Sequence, residues 1–336
     1  MSTKKKQEEL QQGLNELFTD PDVEKARDFF QTKSRAMKNK VTTVAEAVRN
    51  LVHDGDYIAI GGFGANRIPT AVVHEIVRQR KQNLAFAGHT STHDFQVLIA
   101  GDCLRKVDIA YIIGLEARGL SPNARRAVES GKIQLTEWTN AAMSWRLKAA
   151  AMGVPFLPAR NMLGTDTFKH SAAKEILCPF TGQKLVAYPA LFPDFAAIHV
   201  HESDVYGNCR VRGVTISDQD LAKAGKRVVI TAERLIPTEQ IRQNPEGTFL
   251  PYWCVDAVIE VPYGSYPGNM PYEYYSDEEH LAEWLTVEKN PEELKKFMDR
   301  QIYRTKDFYE YLNLNGGIEK IKKLRAIELL YNNKNQ

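Results

Sequence analysis

The segment Tyr57-Ile58-Ala59-Ile60-Gly61-Gly62-Phe63-Gly64-Ala65-Asn66-Arg67-Ile68-Pro69-Thr70 passes from strand to turn to helix within fourteen residues. Tyr57 to Ile60 read as a short buried strand. Gly61, Gly62 and Gly64 let the backbone bend sharply and come close to a ligand. Pro69 suits a first helical turn, and Ala71, Val72, Ile76 and Val77 supply apolar positions at helical spacing. A strand, a glycine turn and a helix start set backbone N–H groups at the carboxyl edge of a sheet. Such a turn can hold an anion or a developing oxyanion.

The same alternation continues on both sides. Thr43 and Glu46 form a capping box ahead of the apolar face Val44, Ala47, Val48 and Leu51, and Asp54-Gly55-Asp56 turns into the opening strand. Later strands are expected at 83–88, 107–114, 133–137, 184–187, 195–201, 227–231 and 256–261, with helices over 95–100, 122–130 and 141–152. This order predicts an α/β fold with a mainly parallel sheet covered by helices on both faces. Leu10, Leu14, Leu17 and Phe18 recur at helical spacing, and a second helix is expected over 23–30. The expected organisation is a charged, helical N-terminal extension over 1–40, an α/β body over 41–276, and a helical C-terminal tail over 277–336. The extension is either an oligomer arm or a solvated appendage.

Composition narrows the function classes. With 43% hydrophobic and 26% charged residues in 336, the chain reads as an ordinary globular protein, and a net charge of +2 gives no reason to expect nucleic acid. Cys103, Cys178, Cys209 and Cys254 form no CxxC pair, which argues against a zinc site or disulfide framework and fits a reducing compartment. No apolar run approaches the roughly 20 residues of a membrane span, and no secretory signal is visible. A cytoplasmic protein with no membrane partner and no metal is expected.

Each candidate for chemistry has a structural role beside it. The glycine turn fails as a dinucleotide fingerprint, because Arg67 stands where the third glycine of GxGxxG would be, and no Gly-Lys-Ser/Thr follows for a phosphate loop. His199 and His201 lie on one side of a strand; a metal pair lacks a third ligand, and a core role fits His199. Acyl chemistry by a carboxylate needs a strand-end glutamate facing a donor-lined pocket, for which Glu116, Glu202 and Glu233 qualify by position. Glu129-Ser130-Gly131 reads as a helix end with its glycine cap, and Glu137 as a strand end open to either role.

Several segments together resemble the first (α, or A) subunit of family I CoA-transferases, of the glutaconate CoA-transferase type. They are Asp54-Gly55-Asp56 leading into Ile60-Gly61-Gly62-Phe63, Arg67-x-Pro69, Ala149-Ala150-Ala151-Met152-Gly153-Val154-Pro155-Phe156-Leu157-Pro158, and Gly164-Thr165-Asp166. Ala197-Ile198-His199, Asp204-x-x-Gly207-Asn208, Cys254-Val255-Asp256-Ala257-Val258 and Pro262-Tyr263-Gly264-Ser265-Tyr266-Pro267 complete the set. Their order carries the resemblance from about residue 42 to about residue 315.

The resemblance implies a ping-pong enzyme that moves coenzyme A from an acyl-CoA to a carboxylic acid, needing no cofactor beyond the CoA thioester itself. A glutamate attacks the thioester, passes through an anhydride and becomes a glutamyl-CoA thioester. In two-subunit members that glutamate belongs to the β subunit, so this chain is expected to lack it and to pair with a β subunit in a hetero-oligomer; Glu116 is the alternative on this chain. The resemblance places Gly61, Gly62, Phe63 and Gly64 at the thioester, the backbone N–H groups facing the oxyanion and Phe63 shielding it. It sets Asp94, Asn140, Ser265 and Tyr266 in the substrate pocket. A β-branched residue at Gly62 is then expected to suppress turnover with little loss of folding. Relatives of this subunit pair also hydrolyse a ring carbon–carbon bond in CoA thioesters or decarboxylate a glutaconyl-type CoA. The hydrolase branch uses a first-subunit glutamate near the position of Asn140, and the asparagine leans towards transfer.

Overall fold

The computed structural model describes residues 9–111, 114–115 and 119–333. Seven parallel strands form its main sheet: β1 (Tyr57–Ile60), β2 (Leu84–Gly88), β3 (Leu104–Ile109), β4 (Gln134–Glu137), β5 (Phe195–Ser203), β6 (Arg227–Leu235) and β7 (Ala257–Glu260). Their spatial order is β7-β6-β5-β1-β2-β3-β4, and Cys209–Arg210 adds a short antiparallel strand beside the end of β5. Ile58 of β1 sits between Phe86 of β2 and Phe195 of β5. The chain therefore builds outward from β1 to β4, then crosses back to lay β5 on the other flank of β1. Reversals of this kind open a crevice at the carboxyl ends of the two strands, here just beyond Ile60 and along the end of β5.

Alternation along the strands divides two cores. Ile58 and Ile60 face one core, made with helices Val44–Leu51, Thr70–Arg78, His93–Ala100 and Pro122–Glu129; Tyr57 and Ala59 face the other, under helices Asn140–Met152 and Asp218–Ala224. Both faces are apolar because parallel strands are covered on both sides. The expected parallel α/β architecture is thus the one observed. The C-terminal helices Glu278–Val287, Pro291–Met298, Phe308–Leu314 and Gly317–Asn333 join the first core through Trp284, Leu294, Phe297, Phe308, Leu312, Ile321 and Leu324. No helix among the described residues is long and apolar enough to cross a membrane.

Two local expectations are corrected. The helix Val23–Thr32 forms, but 10–18 is not helical. The Gly13, Leu14 and Asn15 amides instead donate to Ala173, Lys169 and Ser171 carbonyls at 2.8–3.0 Å, so this segment lies extended along the body. A Cβ at Gly13 would come within 2.0 Å of the Ser171 carbonyl oxygen, which only glycine permits. The strand expected at 184–187 belongs to a separate antiparallel sheet, Phe156–Ala159 with Lys184–Pro189 and Lys174–Leu177.

Candidate active site at the glycine turn

Beyond β1 the backbone amides are all committed within the protein. Gly61 N–H donates to Ala197 O (2.8 Å), Gly62 to Asp218 Oδ1 (2.9 Å), Phe63 to Asn66 O (3.1 Å) and Gly64 to Thr90 O (2.7 Å). The expectation of free amides facing an oxyanion is therefore corrected for this conformation; each group is already matched, as buried backbone donors require. Gly62 has φ +84°, and a Cβ there would lie 2.5 Å from Asn66 O. Glycine is needed for the turn to exist, so a β-branched residue at Gly62 would break the fold along with any chemistry, contrary to the sequence expectation.

Arg67 ties the turn to the second half of the chain. Its side chain is fully buried and clamps Asp218 with Nη1 at 2.8 Å from Oδ1 and Nη2 at 3.2 Å from Oδ2. Burial opposes ionisation of Asp218, yet the Arg67 charge and hydrogen bonds, with the Gly62 amide, outweigh it and hold the carboxyl below its usual value. Arg67 Nη2 also donates to the Val214 carbonyl at 2.8 Å, which fastens the segment before Asp218 over the turn. Ser217 and Ser144 share a hydroxyl contact of 2.9 Å and join the starts of the two helices on this side.

The end of β2 supplies the next wall. The Thr92 hydroxyl donates to Gly64 O at 2.6 Å, and the Thr92 amide donates to Asp94 Oδ1 at 3.0 Å. Asp94 is thus brought to the site as a brace for the 90–92 loop. Its Oδ2 makes no hydrogen bond of ordinary geometry, and burial pushes the carboxyl up to about 6 against the pull of Ser91 and nearby amides. His89, the residue after β2, is buried, with Nδ1 3.2 Å from the Thr90 hydroxyl; burial lowers its pKa, opposed by the Asn140 backbone and by Asp218. Asn140 opens helix Asn140–Met152, and its Oδ1 is buried without a partner. Thr92 thus links Asp94 to the glycine turn, and Arg67 and Asp218 are joined to that turn through the Gly62 amide.

Ser265 and Tyr266 back the turn from behind. The Asn269 amide donates to Ala65 O and Asn269 O accepts from the Arg67 amide, so their loop is stitched to the turn. The Ser265 hydroxyl donates to Asn269 O (3.3 Å), and Tyr266 OH donates to Asp277 Oδ2 (2.7 Å) inside the core shared with the C-terminal helices. Both side chains are buried away from solvent.

Glutamates differ sharply in availability. Glu233 is nearly buried and accepts from Tyr274 OH (2.8 Å) and the Tyr263 amide (2.8 Å), with His199 Nε2 at 2.7 Å. His199 also lies 2.8 Å from the Thr231 hydroxyl, so it has the core role its strand position suggested. Glu202 pairs with Arg234 at 2.9 Å. Glu116 lies outside the described residues, and Glu137 keeps its place at the end of β4. His201 sits 2.8 Å from Pro271 O and accepts from the Arg212 amide at 3.1 Å; no group of three or more metal-ligating side chains is present among the described residues.

Asp218 and His89 do not stand out in the sequence. Asp218 carries a weak signal, an acid at a helix start after Ser217; His89 carries only its place after a strand.

The model of the Coenzyme A transferase family matches residues 41–261. The A-subunit of glutaconate CoA-transferase from Acidaminococcus fermentans is 32% identical over 296 residues, 83% of this chain and 92% of that one. The crystal structure of that organism's glutaconate coenzyme A-transferase matches with a TM-score of 0.80, over 82% of this chain and 93% of the other. The A-subunit of 3-oxoadipate CoA-transferase from Pseudomonas knackmussii is 33% identical over 276 residues, 81% of this chain and 96% of that one. The IpdA subunit of the cholesterol ring-cleaving hydrolase from Rhodococcus jostii is 28% identical over 284 residues, 81% and 95%. With its fold, its glycine turn and these matches, the chain belongs to the coenzyme A transferase family.

Proposed function

We propose that the chain is the first subunit of a heteromeric CoA-transferase, moving coenzyme A between an acyl-CoA and a carboxylic acid with the nucleophilic glutamate on a second subunit. The observation that carries this is the likeness, at 32–33% identity over most of the chain, to the A-subunits of two CoA-transferases. The glutamates support it. Glu233 is saturated by three partners and Glu202 is paired with an arginine, so neither is poised to attack a thioester. In this reading Gly61, Gly62, Phe63 and Gly64 shape one wall of the thioester site. Asp94, Ser265 and Tyr266 act by bracing that wall, and Asn140 carries a buried, unmatched carbonyl oxygen at the start of its helix.

The second reading is a CoA-ester hydrolase or decarboxylase, favoured by the IpdA likeness. Asn140 speaks against hydrolysis, because an amide cannot serve as general base. The test is CoA transfer from an acyl-CoA to acetate by the complex of this chain with its second subunit. Transfer by the complex, and none by the chain alone, is expected. Release of free CoA or CO2 without transfer would overturn the reading.

A further inference from the structure

A cavity of about 420 Å³ lies between the helix Val23–Thr32 and the body, a volume within the range of small-molecule sites. Its floor is apolar. Ala26 and Phe30 come from that helix, Phe192 from the loop before β5, and Ala150 and Ala222 from the last turns of helices Asn140–Met152 and Asp218–Ala224. The Phe30 and Phe192 rings lie 6.5 Å apart. Trp253 and Met152 also line the cavity and reach solvent, at 49% and 61% exposed. The glycine turn is elsewhere: Asp218, which opens the shorter helix, holds the Gly62 amide, and Ser144 and Ser217 join the two helices near their starts. The longer helix has 13 residues and runs about 20 Å from that end to the cavity.

The charge around this floor has one sign. Arg27, Lys33, Arg35 and Lys223 line the cavity, and no carboxylate does among the described residues. Lys33 is matched within the protein: its Nζ lies 2.8 Å from Asp256 Oδ2 and donates to the Lys226 and Cys254 carbonyls at 3.0 and 3.1 Å. Arg27 pairs on the surface with Glu24 at 3.3 Å. The Arg35 and Lys223 side chains make no ion pair among the described residues. Burial raises the pKa of the Cys254 thiol on the cavity wall while Lys33 and Lys223 pull against it, so the Lys223 charge is felt there. The two helix ends contribute roughly half a negative charge each, which the two unmatched cations exceed.

We propose that this cavity is a second ligand site, separate from the glycine turn, which takes a carboxylate with an apolar, chain-like body. The chain leaves water against Phe30, Phe192 and the alanine floor, and the carboxylate stays at the wet rim beside Arg35 and Lys223. A cation on the same chain meets like charge at that rim and is disfavoured. Because one wall is the helix Val23–Thr32 and the others belong to the body, the ligand fastens the two together, and its binding stabilises the folded chain.

The experiment is isothermal titration calorimetry of decanoate and of decyltrimethylammonium into the full-length chain, alone and in complex with its second subunit. Decanoate is expected to bind in both settings, roughly tenfold tighter than the ammonium of equal chain length. Arg35→Glu combined with Lys223→Glu is expected to weaken decanoate roughly tenfold with Tm unchanged, since both side chains are exposed. Ala151→Phe, which grows into the cavity from its lining, is expected to abolish binding. Equal affinity for the two probes, or decanoate binding unmoved by the charge variant, overturns the proposal even where Ala151→Phe fails to fold. Absence of decanoate binding to the chain overturns it as well. Binding to the chain alone that vanishes in the complex also overturns it, by assigning this face to subunit contact.

Discussion

Arg67 and Asp218 lie 151 positions apart in sequence and form a fully buried ion pair, 2.8 Å from Nη1 to Oδ1, directly beneath the Gly62 amide. The pair connects the first strand's turn to a helix start from the second half of the chain. It is where the two halves of the sheet agree on one geometry. Removing either partner leaves a buried charge without its partner. Arg67→Met and Asp218→Leu are each expected to cost about 3–5 kcal/mol. The double variant should cost clearly less than the sum of the two, a coupling that urea denaturation of the four proteins reads. Additive losses would show that the pair acts as two separate contacts.

Gly62 and Gly55 separate strain from collision. Both have φ near +85°, but nothing lies within 4 Å of a Cβ at Gly55, whereas one at Gly62 meets Asn66 O at 2.5 Å. Gly55→Ala should therefore cost only about 1–2 kcal/mol of backbone strain. Gly62→Ala should cost several times more, seen as a much larger fall in Tm.

Asp94 and His201 impose opposite pH dependences. Burial raises the folded Asp94 pKa from 3.8 to about 6, so the native state holds the extra proton between those values and stability from this group is lost as pH rises through them. Burial lowers the His201 pKa from 6.5 to about 4, so stability from this group is present above 6.5 and lost as pH falls towards 4. Each effect is on the order of 2–3 kcal/mol, and between pH 4 and 6 they largely cancel. Asp94→Asn should make Tm fall more steeply on acidification from pH 6.5 to 4.5. His201→Gln should make it flat or rising, by calorimetry across the same range.

Glu233 serves the fold. Glu233→Gln presents an amide N–H2 where three donors converge, and is expected to cost about 2–4 kcal/mol. Complex that survives purification should keep its turnover per folded molecule. Lost turnover at full stability would instead place Glu233 in the chemistry.

The sequence made the sheet legible because its signals are local. Apolar runs such as Tyr57–Ile60 and Phe195–Val200, capping at Thr43 and the glycine ends at Gly131 and Gly153 each need only neighbouring residues. The spacing of Leu10 to Phe18 misled because amides at 13–15 find better partners at 169–173, which no periodicity reveals. Phe156–Ala159 escaped notice because Pro158 interrupts it, tolerated beside a single neighbouring strand. At the site, the turn was visible and its partners were not. Asp218 and Thr90 reach Gly62 and Gly64 only once the sheet has folded, and they take the amides that the isolated turn would have offered to a ligand.

Whether this chain supports a nucleophile held on another subunit can be read chemically. The complex is incubated with acyl-CoA, reduced with borohydride and analysed by mass spectrometry of the separated subunits. A glutamate of the second subunit should be found reduced to its alcohol, with every glutamate of this chain intact. A reduced glutamate on this chain, or no reduced glutamate on either from a complex that transfers CoA, would contradict the account.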